Sequence, residues 1–152
     1  MSAVAVPISI AASMVRRLTD EVRGTLRLPY ALRRVPETRL ASLLPWAAPP
    51  QEGDLALARL EQIGKNTGLE LPDGRRCTLH EGDLLAVVFG NRYATEQFEG
   101  YAGADGDRCD LLSMGGLCGL AKSKHARVPE PTKLRLLGAT AGAWPTRVPA
   151  RP

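Results

Sequence analysis

The chain has 152 residues, 44% hydrophobic and 24% charged, which suits one globular domain with its own core and excludes a disordered chain. Aromatic residues make up 5%, so aliphatic side chains must fill that core, and modules that bind nucleic acid through exposed rings are disfavoured. The net charge of +4 hides basic ends around an acidic middle: seven Arg against three acids over residues 1–50, six bases against twelve acids over 51–120, seven bases against one acid over 121–152.

A nucleic-acid binder carries its basic face on the folded core, so this charge order argues against nucleic acid as a partner. Residues 1–15 are apolar, with Val4, Val6, Ile8 and Ile10, but no basic segment precedes them. Arg16-Arg17 follow where a small-residue cleavage site would stand. No run reaches the roughly 20 apolar residues of a spanning helix. The expectation is a cytoplasmic chain with free thiols and no membrane contact.

Ile10, Met14, Leu18, Val22 and Leu26 recur every four residues, and that spacing predicts an amphipathic helix ending near Gly24 and Pro29. Such a stripe docks on its own domain. A second, short helix is predicted over residues 36–44, with Pro36 in its first turn and Leu40, Leu43 and Leu44 on its apolar side. Pro45, Pro49 and Pro50 then make a stiff connector.

From Gly53 onward the pattern turns to strands. Gly53-Asp54-Leu55 and Gly82-Asp83-Leu84 are turn pairs feeding apolar runs, which reads as ordinary β-turn chemistry. Residues 55–63 read as a strand. Residues 67–71 and 75–80 flank Pro72-Asp73-Gly74 and predict a hairpin. The run 84–89 is continuously apolar, as a central strand buried on both faces requires. Residues 93–101 fit strand or loop, 109–114 a strand, 117–126 a strand or short helix, and 133–137 a last strand. The fold class is therefore mainly β with N-terminal helices, built on a small β-barrel-like domain. Its expected parts are a helical arm over 1–52, the β domain over 53–138 and a flexible tail over 139–152.

Several segments resemble the N-terminal β domain of uncharacterised bacterial P-loop proteins. They are Gly53-Asp54-Leu55-Ala56-Leu57-Ala58-Arg59, Leu69-Glu70-Leu71-Pro72-Asp73-Gly74-Arg75-Arg76 and Gly90-Asn91-Arg92-Tyr93-Ala94, with Gln97-Phe98-Glu99, Gly115-Gly116 and Ser123-Lys124-His125-Ala126-Arg127. The resemblance covers a little over half of the chain. In that family the domain precedes a nucleotide-binding loop with a Gly-Lys-Thr signature. No Gly-x4-Gly-Lys-Ser/Thr spacing occurs here; Gly64-Lys65-Asn66 lacks both the leading glycine and the hydroxyl. The resemblance thus implies an accessory domain standing alone, acting beside a separately encoded P-loop partner.

All the thiols and imidazoles, Cys77, His80, Cys109, Cys118 and His125, fall in one stretch. Cys77-x2-His80 has the spacing of half a zinc site, but its two side chains would leave a strand on opposite faces, and no paired Cys knuckle accompanies it. No metal or cofactor is expected. Cys118 and His125 are the candidate catalytic pair, with Lys122, Lys124 and Arg127 supplying positive surroundings; a buried core thiol is the competing reading. Gly115 and Gly116 with Lys122, Ser123, Lys124 and Arg127 could cradle an anion. Asn91, Arg92 and Tyr93 project from the end of a buried strand, where ligand sites tend to sit. Asp105, Asp107 and Asp110 read as solvated turn acids. The expected function is a non-catalytic accessory module acting with a partner protein or a small anionic ligand. The alternative is a small enzyme using Cys118 and His125 on an acidic substrate.

Overall fold

A computed structural model describes residues 16–36, 40, 42–44, 49–92, 98–124 and 129–141. The elements are β1 (Arg16–Arg17), α1 (Asp20–Thr25), β2 (Leu26–Arg27), β3 (Ser42–Leu44), β4 (Leu55–Gln62), β5 (Gly68–Glu70), β6 (Arg76–Thr78), β7 (Leu84–Phe89), β8 (Phe98–Tyr101), β9 (Arg108–Leu111), β10 (Leu117–Lys124) and β11 (Thr132–Ala141). The fold is mainly β. One large sheet holds every strand except β5 and β6, which pair with each other as the expected hairpin. Gly74 takes φ +88° in its turn, and the Asp73 carboxylate accepts the Arg75 backbone N–H at 2.9 Å.

β4 and β7 form an antiparallel pair at the centre, and the two glycine–aspartate turns lock it at both ends. Gly53 donates its N–H to the Phe89 carbonyl while Phe89 donates to the Asp54 carbonyl, each at 2.9 Å. At the other end Gly82 donates to the Leu60 carbonyl at 2.7 Å and Leu60 donates to that of Asp83 at 2.8 Å. Each turn opens one strand and closes its neighbour. The side chains repeat the equivalence: Asp54 Oδ2 accepts from Gln51 N and Asp83 Oδ2 from His80 N, both at 2.8 Å. Gly53 and Gly82 have φ +92° and +94°, which a residue with a Cβ adopts only with strain.

Side chains alternate along β4 and β7, so the pair is buried on both faces. Ala56, Ala58, Leu60, Leu85, Val87 and Phe89 pack with Cys109, Leu111, Cys118, Leu134 and Leu136, and Leu69 and Leu79 of the hairpin region join them. On the opposite face Leu55, Leu57 and Ala86 pack with Leu32 and Leu40, flanked by Leu18, Leu26, Leu28, Val35 and Leu43. The N-terminal arm therefore covers one face of the central pair; of the predicted stripe Leu18 and Leu26 pack there, while Val22 is exposed.

The arm is less helical than its periodicity predicts. Thr19 Oγ1 accepts from Val22 N and starts α1, but the helix stops after Thr25. Leu26 is already extended (φ −72°, ψ 128°), and β2 pairs in parallel with Leu84 and Leu85. Sheet hydrogen bonds displace the helix there. Arg16–Arg17 is likewise a strand, while Ile10 and Met14 lie outside the described residues. The helix expected over 36–44 is also overturned at its C-terminal end: β3 lies between β1 and β11, with Leu43 opposite Thr140. β11 runs past Gly138 to Ala141, so the segment expected to begin a flexible tail starts as paired strand.

Candidate functional site

Among the described residues, those expected to carry chemistry stand in separate structural roles. Cys118 is fully buried on β10, opposite Leu111 of β9. Burial first, and then the neighbouring Cys109 thiol, push the Cys118 thiol well above its ordinary value. A thiol so placed has neither access nor thiolate character. This corrects the reading of Cys118 as a nucleophile in favour of the core thiol. Its proposed partner His125 lies outside the described residues, as do Tyr93 and Arg127.

Gly115 and Gly116 are likewise committed to the fold. The Gly115 carbonyl accepts the Ala31 N–H at 2.9 Å, and the Gly116 carbonyl accepts that of Val88 at 3.0 Å. Gly116 has φ +103°, and a Cβ there would lie 2.4 Å from Pro29. The pair seats the arm against the sheet. Lys122 is exposed, six residues beyond Gly116 and well along β10. Ser123 and Lys124 continue β10 opposite Glu99 and Phe98. Asn91 Oδ1 accepts the Ala102 N–H at 2.9 Å, and half-buried Arg92 exchanges two backbone hydrogen bonds of 2.9 Å with Gly100. Both tie the chain to β8.

Concavity lies elsewhere. β10 pairs with β9 only at Cys118 and Gly119, then swings away to pair with β8 from Leu120 onward. Where the strands part, a groove of about 580 Å³ opens. Arg108 and Asp110 of β9, Lys133 of β11, Glu61 and Gln62 of β4, and Asp105 line it, together with Cys109 and Leu120. Asp110 bridges the parting: its Oδ2 accepts the Ala121 N–H at 2.9 Å, replacing a lost ladder bond, and its Oδ1 accepts from Lys133 Nζ at 3.1 Å. It is buried, not the solvated turn acid that its glycine-rich neighbourhood suggests. Asp107 keeps that character: it lies in the turn before β9 with its side chain 43% exposed, 3.9 Å from the Arg135 guanidinium.

The register across the groove's back wall sets its electrostatics. Arg59 of β4 stands opposite Arg135 of β11, which stands opposite Arg108 of β9. Like charges directly opposite one another in a sheet are destabilising. Glu61 offsets part of this. The β4–β11 register shifts between Leu60 and Gln62, leaving Glu61 as the extra residue of a bulge. From there its carboxylate accepts from Arg135 Nε at 2.8 Å and lies 3.8 Å from Arg108 Nε. Arg59 donates to the Gly82 carbonyl at 2.8 Å. The Arg108 side chain stays 61% exposed and that of Lys133 42%, so both cations reach solvent over the groove.

Compared with family models, curated proteins and solved structures, the chain gives no match. Among the described residues no three His, Cys, Asp or Glu side chains gather as a metal site, and no helix is long and apolar enough to cross a membrane. Cys77 packs at the edge of the core while His80 is exposed. The groove residues come from four stretches of the sequence, and only the pairing that joins β4, β11, β9 and β10 brings them together. The one local signal was the alternation Arg108-x-Asp110 with Lys133-x-Arg135, two charged faces on predicted strands.

Proposed function

We propose that this chain is a non-catalytic binding module, a small β-barrel-like domain whose charged groove holds a small anionic ligand. One observation carries the reading: Arg108 and Lys133 present cations over a groove whose volume falls within the range of roughly 300–1,000 Å³ typical of small-molecule sites. The barrel-like description is supported by the order of pairing, which passes from β4 to β7, β10, β9 and β11 and returns to β4. A burial on both faces of β4 and β7 leaves the module rigid beneath the groove, as a preformed site requires.

The module acts in the cytoplasm, as an accessory to a separately encoded P-loop partner. The resemblance in sequence supports the pairing with a P-loop protein, and Gly64-Lys65-Asn66 lacks the leading glycine and the hydroxyl with which a P-loop cradles phosphate. The burial of Cys118, which pushes its thiol well above the ordinary value, supports the binding module over the enzymatic alternative.

Amide-resolved NMR titration of the full chain with inorganic phosphate tests the groove. Shifts are expected to cluster at Arg108, Asp110, Ala121 and Lys133. Arg108→Ala should weaken binding about tenfold, the equivalent of one lost charge-assisted hydrogen bond. Shifts centred on Gly115 and Gly116, or an affinity indifferent to Arg108→Ala, would overturn the assignment.

A further inference from the structure

The three arginines in one cross-strand row exceed what an internal ion pair needs. Neighbouring strands lie about 4.8 Å apart, so the row repeats positive charge at that interval. Glu61 is shared between Arg135 and Arg108, and Asp107 reaches Arg135 only at 3.9 Å. Lys133 is drawn toward Asp110 at 3.1 Å. Arg59 is already turned to a backbone carbonyl. That leaves Arg135 and Arg108, directly opposite one another on antiparallel strands and bridged by one carboxylate on a bulge.

A guanidinium offers a planar fork that matches one phosphoryl or carboxylate group. Two such forks about one strand spacing apart match two anionic groups joined through one or two atoms. A single anion satisfies one fork and leaves the other to Glu61. From this geometry, and resting on the reading of the groove as a ligand site, we infer that the ligand carries two linked anionic groups, one on Arg108 in the groove and the other on Arg135 beside it, with Glu61 as the counter-ion they displace. The class includes diphosphates and short dicarboxylates, whose shared chemistry is the paired oxyanion.

Isothermal titration of the full chain with pyrophosphate, malonate and inorganic phosphate tests this. Pyrophosphate or malonate should bind about tenfold tighter than phosphate, since it adds one charge-assisted contact. Arg135→Gln should remove that preference while leaving phosphate binding in place. Glu61→Gln should raise the affinity for the linked dianion severalfold, a gain that a misfolded variant cannot imitate. Equal binding of all three anions, or a Glu61→Gln variant that binds the dianions no better, overturns the inference while the groove remains a ligand site. If none of the three anions binds, the groove assignment falls with it.

Discussion

Cys118 illustrates how one position can read two ways in sequence and one way in space. Flanked by Leu117 and Gly119, with cations downstream, it suits either a nucleophile or a core residue. Strand alternation settles the matter, because β10 directs it between Leu111 and the leucines of β11. The raised thiol value has a consequence for stability. The folded thiol holds its proton to higher pH than the unfolded one, so above the unfolded value of roughly 8.5 the unfolded chain binds fewer protons. The stabilisation is fully present below that pH and is lost as pH rises toward the folded value. Urea unfolding at a series of pH values from about 7 to 10 should therefore show a steeper alkaline decline in the wild type than in Cys118→Ala. Parallel declines in the two proteins would mean that the thiol's environment does not distinguish folded from unfolded chain.

The elements differ in how far the sequence discloses them, and the difference has physical causes. The β5–β6 hairpin and β7 were legible because each is specified locally, by Pro72-Asp73-Gly74 and by an unbroken apolar run. The arm was misread because the same leucines satisfy a helical period and a sheet face; tertiary hydrogen bonds from Leu84 and Leu85 decide between them. Nothing within the glycine–aspartate pairs announces that they close each other's strands, since that relation exists only once β4 and β7 pair. Their equivalence makes a quantitative prediction. Asp54 is buried, whereas the Asp83 side chain is 18% exposed, so removal of the first leaves a drier orphaned amide at Gln51. Asp54→Ala should cost about 1–3 kcal/mol and Asp83→Ala less, within the range for unsatisfied polar groups. Denaturant midpoints at constant slope would check the order; a larger loss at Asp83 would contradict the ranking by burial.

At the scale of the molecule, β11 carries more of the architecture than its position near the chain's end suggests. It pairs with β3, β4 and β9, and its partners in β4 lie more than seventy residues earlier. Contacts so distant in sequence close late and slowly, because loop entropy is lost before they form. The groove shares this dependence: Lys133 lines it, and Arg135 stands beside Arg108, only when β11 has joined β4 to β9. The groove and the joining of β11 to its neighbours are thus one cooperative unit. Leu134 stands at the junction, opposite Leu60 on one side and Cys109 on the other, and is fully buried. Leu134→Ala should destabilise by about 2–5 kcal/mol, the usual cost of emptying such a site. Because β11 is integral, the variant should still unfold in one transition with an unchanged denaturant slope. A lowered slope or a separate early transition would show instead that β11 detaches alone, leaving a domain that folds without the strand on which the groove depends.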